Sequence, residues 1–182
     1  MTVIAWDRTS LVADGLMTHG HSIMSTRGKK IFRACDYLLD QWNLQNERVL
    51  AFGVAGDFGS ASAIVDALND MIHVHTIYPK EYAFTAILIT DSGNVWLLNK
   101  DLDNDTGWLH PVEENYVAIG AGSDAAKAAM IAGKNAFDAV AIAMDCNVMC
   151  GGEIQAWEPQ RTSINGKDVL TSVPAQELWV TG

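Results

Sequence analysis

The stretch that decides the fold is residues 1–17, which read MTVIAWDRTSLVADGLM. Two apolar runs flank the polar turn at 7–10, and this pattern predicts a pair of antiparallel strands at the start of the domain. The second strand ends at Asp14, an acidic residue next to a glycine. A sheet that starts at the second residue holds the terminus in place, so we expect the terminus to have a function.

Thr2 is the candidate for that function. Once Met1 is removed, Thr2 carries a hydroxyl nucleophile and a free α-amine on one residue, and the amine can act as general base. An α-amine titrates at about 7.7–8.0 in model peptides, so it accepts protons near neutral pH. The hydroxyl also needs a nearby cation and a carboxylate to hold that cation, for which Asp14 and Lys30 are the candidates. The alternatives are an ordinary strand threonine and a solvent-exposed lysine pair.

Further motifs follow in order along the chain. They are Ala13-Asp14-Gly15, Thr18, Gly28-Lys29-Lys30, Ala55-Gly56, Ile119-Gly120-Ala121-Gly122 and Asp145. Together with Thr2, their order and approximate spacing resemble those of proteasome β-type subunits, with the bacterial HslV-like branch as the closer likeness. The resemblance runs from Thr2 to about residue 157.

The resemblance implies an α+β protein with the four-layer αββα sandwich of N-terminal nucleophile hydrolases. The domain would span 1–158, and 159–182 would form a C-terminal extension without an assigned role. The implied activity is that of a threonine-type peptidase subunit, which encloses its own active sites and cleaves peptide bonds with Thr2.

The resemblance also implies a catalytic role at each matching position. Thr2 would attack the peptide carbonyl, its own amine would relay the proton, and water would resolve the acyl-enzyme ester. Asp14 would hold Lys30, whose charge eases formation of the alkoxide. The backbone N–H of Gly56 would stabilise the oxyanion. Asp145 would be the acidic catalytic residue of the family, and the hydroxyls that usually stand at 121 and 150 would belong to the network around the terminal amine.

Three further positions would contact substrate by the same resemblance. The main chain of Thr18 would pair with an extended substrate, Val54 would line the pocket for the residue before the cleaved bond, and Ala121 would belong to the turn near the nucleophile. Ala121 replaces a serine that is usual in the family, and Cys150 stands where a hydroxyl usually follows the acidic position. Two alternatives therefore stay open. One is a catalytically degenerate ring scaffold or binding protein, and the other is an N-terminal nucleophile amidase that acts on a small amide.

Composition narrows the class of protein. At 182 residues the chain is long enough for one domain with a substantial core. Its formal net charge of −10 argues against a nucleic-acid partner, because phosphate binding needs clustered Lys and Arg. No segment approaches the roughly 18 consecutive apolar residues of a membrane helix. Three cysteines without a CxxC pair, and no signal peptide before the first strand, predict a reduced cytoplasmic setting.

The apolar surplus predicts contacts with further subunits. Hydrophobic residues make up 49% of the chain and charged residues 19%, so subunit contacts would cover apolar surface in a homo-oligomer. The resemblance implies six- or seven-membered rings stacked as a double ring. It also implies a peptide or unfolded polypeptide as substrate and an ATP-dependent unfoldase as partner.

No cofactor and no metal are expected. The loop 120–125 is only superficially similar to a dinucleotide loop, because alanine replaces its third glycine. The acidic loop 101–107 differs from a calcium loop in the place of its glycine. Two histidine pairs, His19 with His21 and His73 with His75, have no carboxylate or cysteine at ligand spacing.

Periodicity predicts the remaining elements. The apolar run 49–55 predicts a strand buried on both faces, and apolar residues on one helical face predict a helix over 61–71. Further predictions are a hairpin over 83–90 and 94–99, a helix over 124–132 capped by Ser123, a helix over 136–144, a strand over 153–157 and a hairpin at Asn165-Gly166. The run 36–48 fits no single element.

Overall fold

The structure is a computed structural model that describes residues 2–36, 42–164 and 167–171. Its strands are β1 (Val3–Trp6), β2 (Leu11–Ala13), β3 (Met17–His19), β4 (Ser22–Ser25), β5 (Ile31–Arg33), β6 (Asn43–Leu44), β7 (Glu47–Gly56), β8 (Phe84–Thr90), β9 (Val95–Lys100), β10 (Trp108–Val112), β11 (Val117–Gly120), β12 (Gln155–Trp157), β13 (Gln160–Ile164) and β14 (Lys167–Thr171). Its α-helices are α1 (Ser60–Asp70), α2 (Ser123–Ile131) and α3 (Ala136–Cys146).

The described residues divide into two compact units. The first unit contains residues 2–31 and 114–158, and the second contains 32–36, 42–113, 159–164 and 167–171. The first unit carries the opening hairpin and is therefore the one that positions Thr2.

The first unit is built on a four-stranded antiparallel sheet in the order β11-β1-β2-β12. The polar turn between β1 and β2 forms because the Asp7 carboxylate accepts hydrogen bonds from the backbone N–H groups of Thr9 and Ser10. Every residue of β1 and β2 is buried, so both faces of these central strands are covered.

Helices α2 and α3 pack on one face of this sheet. Strand residues Val3, Ala5 and Val12 form one core cluster with the alanine-rich faces of the helices. Small alanine side chains let the helices approach the sheet closely. Helix α3 begins at the Asn135 cap, whose side chain accepts from the Asp138 N–H at 2.8 Å.

The second unit is built on the strand order β10-β9-β8-β7-β5, with β6 paired to the start of β7. The pairs from β7 to β10 are antiparallel. Helix α1 packs its apolar face, including Ile64 and Leu68, into a core cluster with Phe52 and Leu88. The apolar spacing of α1 and the apolar run of β7 therefore produce the predicted elements.

The carboxyl-terminal part of the described chain is a hairpin. Strands β13 and β14 pair antiparallel, and the N–H of Leu170 donates to the carbonyl of Asp91 at 2.8 Å, which bonds the hairpin to the β8–β9 turn. The predicted Asn165-Gly166 turn and residues 172–182 lie outside the described residues. The division at residue 158 and a role for 159–182 stay predictions.

The predicted α+β class is confirmed: the structure mixes three helices with sheets that are mostly antiparallel. Three details differ from prediction. Ser123 is the first residue of α2, and the cap is Gly122 without a side-chain bond. Strand β10 was not predicted, because its Pro111 interrupts the strand pattern, although proline is tolerated on an edge strand. Part of the run 36–48 pairs with β7 through β6, while 37–41 lies outside the described residues.

No helix among the described residues combines the length and the apolar character needed to cross a membrane.

Candidate active site

Three residues of the first unit that lie at strand ends, Thr2, Asp14 and Lys30, come together. Thr2 comes directly before β1, Asp14 directly after β2 and Lys30 directly before β5. The β1–β2 ladder places Ile4 opposite Ala13, and the N–H of Asp14 extends it by donating to the Val3 carbonyl at 3.1 Å. Asp14 is thereby held beside Thr2 by main-chain bonds, before any side chain takes part.

The three side chains form a buried hydrogen-bonded cluster. Lys30 Nζ donates to Thr2 Oγ1 at 2.5 Å and to Asp14 Oδ1 at 2.6 Å, and Thr2 Oγ1 donates to Asp14 Oδ1. The exposed fractions are 3% for Thr2, 0% for Asp14 and 6% for Lys30. A buried charge is tolerated only where it is paired and hydrogen-bonded, and this pair meets both conditions.

Asp14 also accepts two backbone bonds. The N–H of Val3 donates to Oδ1 at 2.9 Å, and the N–H of Gly151 donates to Oδ2 at 2.9 Å. These two backbone donors fix the carboxylate in place beside the Lys30 side chain. Asp14 is fully buried.

Burial lowers the pKa of the Lys30 ammonium, and the neighbouring Asp14 carboxylate opposes this shift. Burial is the larger effect. Lys30 therefore gives up a proton more readily than an exposed lysine while it keeps a hydrogen bond to the Thr2 hydroxyl.

The turn between β11 and α2 closes over the main chain of Thr2. Gly122 donates its N–H to the Thr2 carbonyl at 3.2 Å. Gly120 has a φ of +89°, and a Cβ there would lie 2.3 Å from the Thr2 carbonyl oxygen. Glycine is needed at 120 for both reasons. Ala121 lies between them with an exposed side chain, and its carbonyl oxygen accepts a hydrogen bond from a side chain at the end of α3.

That carbonyl oxygen identifies a residue that sequence reasoning missed. Asn147, which follows α3, donates its side-chain Nδ2 to the Ala121 carbonyl at 2.7 Å and accepts from the Met149 N–H at 2.9 Å. Asp145, the predicted acidic member, is exposed in the last turn of α3. The side chain that ties α3 to the turn over Thr2 is therefore the amide two residues later. The sequence feature that could have identified Asn147 is a polar residue directly after a helix.

Cys150 is buried, with an exposed fraction of 6%. A Cβ at Gly122 would lie 2.9 Å from its Sγ, which places the thiol against the turn over Thr2. Burial raises the pKa of the Cys150 thiol to about 11, and the Asp14 carboxylate acts in the same direction. The thiol is therefore protonated at neutral pH and can act only as a weak hydrogen-bond group.

The other predicted residues are not part of the hydrogen-bonded cluster of Thr2, Asp14 and Lys30. Thr18 is half-buried in β3 and pairs with Ile23 of β4. Gly56 and Val54 belong to the second unit, where Gly56 is the exposed last residue of β7 with a φ of +153° and Val54 packs against the core. Their roles, like that of Asp145, stay predictions.

The described residues contain no group of three or more His, Cys, Asp or Glu that could hold a metal ion. The chemistry of the cluster is that of a hydroxyl, an amine and a carboxylate.

No protein-family model matches the chain, and no curated protein matches it either. Among solved structures, a chain of the Anbu complex from Pseudomonas aeruginosa, solved as a helical assembly, has a TM-score of 0.57. The two chains are 11% identical, and the match covers 100% of this chain and 87% of that chain. They share a fold.

This comparison corrects the predicted family. Anbu is a proteasome-related family distinct from HslV, so the assignment to proteasome β-type subunits of the HslV-like branch is wrong. The motifs behind that assignment are short, and most of them mark strand ends and glycine turns. Such positions follow the fold and do not distinguish one branch from another.

Proposed function

We propose that the protein is a hydrolase that uses Thr2 as an N-terminal nucleophile after removal of Met1. The observation that carries this proposal is the position of Thr2 Oγ1, which lies between Lys30 Nζ and the Asp14 carboxylate in a buried cluster. A structural threonine needs one hydrogen-bond partner. A lysine and an aspartate on the same hydroxyl are the arrangement of an activated nucleophile.

The reaction would proceed in two halves. Thr2 Oγ1 bonds to the substrate carbonyl carbon while its proton passes to the α-amine of the same residue. The tetrahedral intermediate expels the leaving amine, which takes that proton, and an ester of Thr2 is left. Water then adds to the ester carbon, the bond to Oγ1 breaks, and Oγ1 regains a proton. The Lys30 ammonium stabilises negative charge on Oγ1 in both halves.

Asp14 would position Lys30 and keep its charge from being isolated. Four donors converge on its carboxylate, from Thr2, Val3, Lys30 and Gly151. This arrangement holds the ammonium in the direction of Oγ1 without any movement during the reaction, which is the form of electrostatic stabilisation that enzymes use most effectively.

The test is the intact mass of the purified protein before and after treatment with a peptide epoxyketone. This reagent closes a ring on both the hydroxyl and the α-amine of an N-terminal threonine. We expect loss of the Met1 mass and addition of one inhibitor. T2A should form no adduct, and T9A, a matched change in the exposed β1–β2 turn, should react like the unaltered protein.

Retained Met1 in a protein that forms no adduct would overturn the proposal. Met1 removal without an adduct would place the defect in the network around the terminal amine, where Ala121 supplies no hydroxyl and Cys150 supplies a protonated thiol.

A second candidate is a catalytically silent assembly protein. The observation that favours it is the exposed position of Asp145 together with the neutral Asn147 at the turn over Thr2. Retained Met1 in a well-folded oligomer would support this candidate.

The finer features of the function are proposals as well. Substrate would be a peptide or unfolded polypeptide, and a panel of peptides and small amides separates a peptidase from an amidase. The four-layer αββα sandwich is proposed because each unit supplies one sheet with helices packed on it.

A homo-oligomer is proposed because the fold is shared with a chain that forms a helical assembly. A helix is an open arrangement and the predicted stacked ring is a closed one, so the particle shape distinguishes them by electron microscopy. The unfoldase partner and the cytoplasmic setting stay predictions from sequence.

A further inference from the structure

One buried polar side chain in the first unit lies outside the catalytic cluster and faces the segment that carries Lys30. Gln155, in β12, is 8% exposed. Its Oε1 accepts a hydrogen bond from the backbone N–H of Lys30 at 3.1 Å, and its Nε2 donates to the carbonyl of Gly28. Both ends of one amide are thus bonded to the main chain of residues 28–30.

The position of that main chain decides where the lysine amine reaches. Lys30 Nζ is 2.5 Å from Thr2 Oγ1 and 2.6 Å from Asp14 Oδ1. The segment is also bonded at its start, where the Gly28 N–H donates to the Gly15 carbonyl at 2.8 Å. A displacement of about 1 Å can reduce a rate by about 100-fold, so an anchor next to the lysine Cα has catalytic consequences.

Burying the amide of a glutamine at this position costs free energy unless its hydrogen bonds compensate for the lost hydration. Its neighbours in β12 and the adjoining residue are apolar and largely buried, namely Ile154, Ala156 and Trp157. An apolar side chain would pack there without loss of hydration, but it would leave a buried N–H and a buried carbonyl without this partner.

We propose that Gln155 is a positioning residue for the reaction at Thr2: its amide holds the main chain of residues 28–30 so that the Lys30 amine reaches the nucleophile. This inference rests on the proposed function, because it gives Gln155 a role in the rate of the same hydroxyl. Gln155 itself contacts neither the nucleophile nor substrate.

The test compares Q155M with T90V. Methionine matches the length of glutamine and removes both hydrogen bonds. Thr90 is a fully buried residue of the second unit whose hydroxyl bonds to Ser92 and to the Asn94 carbonyl, so T90V removes polar bonds of a buried side chain in the other unit. For each protein we would measure the melting temperature and the epoxyketone reaction rate at several inhibitor concentrations.

We expect Q155M to lower the maximal reaction rate by tenfold or more with little change in half-saturating inhibitor concentration. T90V should lower the melting temperature and leave that rate within twofold. A fall in rate of equal size in both variants would make Gln155 merely structural, and an unchanged rate in Q155M would overturn the proposal.

Q155E is the conservative variant. Its carboxylate keeps an acceptor for the Lys30 N–H but has no donor for the Gly28 carbonyl, and its charge favours the protonated lysine. We expect a partly restored rate and a rate–pH profile displaced to higher pH. If Q155M does not fold, an unaltered rate and pH profile in Q155E would contradict the proposal.

A readout independent of activity separates this inference from the proposed function. Absence of an adduct on the unaltered protein would count against the hydrolase, whereas the position of Lys30 can still be followed by the 13Cε chemical shift of its side chain during a pH titration. We expect the titration midpoint to move by at least half a unit in Q155M and not in T90V. An unmoved midpoint would overturn the positioning role.

Discussion

The exchange of Asp14 for asparagine tests the electrostatic structure of the site most directly. Asparagine has the same shape but no charge, and one of the two side-chain atoms that now accept bonds becomes a donor. Lys30 would then be a buried ammonium without its ion-pair partner, and the Gly151 N–H would face an N–H₂ group instead of Oδ2.

The size of the loss follows from these contacts. Removing one partner of a buried ion pair costs about 3–5 kcal/mol of unfolding free energy. The loss has an upper limit, because Lys30 can become neutral. At pH 7 a lysine with an ordinary pKa of about 10.4 becomes neutral for about 4.6 kcal/mol, at about 1.36 kcal/mol for each pKa unit. A loss of about 3–5 kcal/mol is therefore expected for D14N, a large part of the roughly 5–15 kcal/mol that stabilises a typical domain.

The pH dependence of D14N has a definite sign. Burial already lowers the pKa of Lys30 in the folded protein, and loss of Asp14 removes the effect that opposes the shift. Between the lowered folded pKa and about 10.4, the unfolded chain binds one more proton than the folded chain, so stability rises with pH. The unaltered protein gains stability in the same way above its own lowered Lys30 pKa. We therefore expect the deficit of D14N to shrink, by up to about 1.4 kcal/mol for each pH unit, only between the Lys30 pKa of D14N and the higher Lys30 pKa of the unaltered protein.

The assay is urea unfolding at pH 7 and pH 9, followed by tryptophan fluorescence. Trp6 and Trp157 stack in the same unit with ring centroids 6.5 Å apart and report its unfolding. D66N, an exposed change on α1, is the matched control and should lose less than about 0.5 kcal/mol.

The reasoning is refuted if D14N loses less than about 1 kcal/mol at pH 7, or if its deficit is larger at pH 9 than at pH 7. A double variant with K30M gives a further check, because removal of both charges should cost less than the sum of the two single changes. Strict additivity would mean that the two side chains do not interact.

Three further outcomes are expected. G120A should lose at least about 2 kcal/mol of unfolding free energy and most of the epoxyketone reactivity, because its Cβ would collide with the main chain of Thr2. G133A is the control, with a similar φ of +94° and no atom within 4 Å of its added Cβ. It should lose about 1 kcal/mol and keep its reactivity. N147A should lower the free energy of unfolding in urea by about 1–3 kcal/mol, because it leaves the Ala121 carbonyl without its side-chain donor. D145A, an exposed change in the last turn of α3, should change that free energy by less than about 0.5 kcal/mol. Equal effects would contradict the conclusion that Asn147 ties α3 to the turn over Thr2. In iodoacetamide labelling at pH 7.5 followed by mass spectrometry, Cys150 should react more slowly than the two exposed cysteines. Its burial and its pKa of about 11 keep the thiol protonated and shielded from the reagent. Equal labelling rates would contradict the burial and the raised pKa of Cys150.

Elements with a strong local pattern could be predicted closely from sequence. Helix α1 was predicted over 61–71 and forms over Ser60–Asp70, since its apolar spacing admits one buried face. The buried strand β7 and the β8–β9 hairpin likewise follow from an apolar run and a glycine turn. Strand β10 was missed because its pairing with β9 outweighs its weak intrinsic pattern.

The candidate site could be predicted in part. Thr2, Asp14 and Lys30 were singled out from residue type and order, and the structure brings all three together. Gln155 was missed because an isolated amide in a sequence has no periodicity or motif to mark it, and Asn147 was marked only by its place directly after a helix. Their importance comes only from the carbonyl and N–H groups that they meet across the fold.

The sequence by itself determined the local elements: an opening hairpin with a polar turn, an amphipathic helix, a buried strand, and a threonine placed where removal of one residue would create a nucleophile. These depend on neighbours within a few positions, which any fold of the chain would share. Only the tertiary structure decided that groups of residues 2, 14, 30 and 151 meet around one buried carboxylate, and that the Asn147 side chain bonds to the turn over Thr2. The physical reason is that burial and hydrogen bonding between distant strand ends set the charge and position of these groups, and no local pattern encodes them.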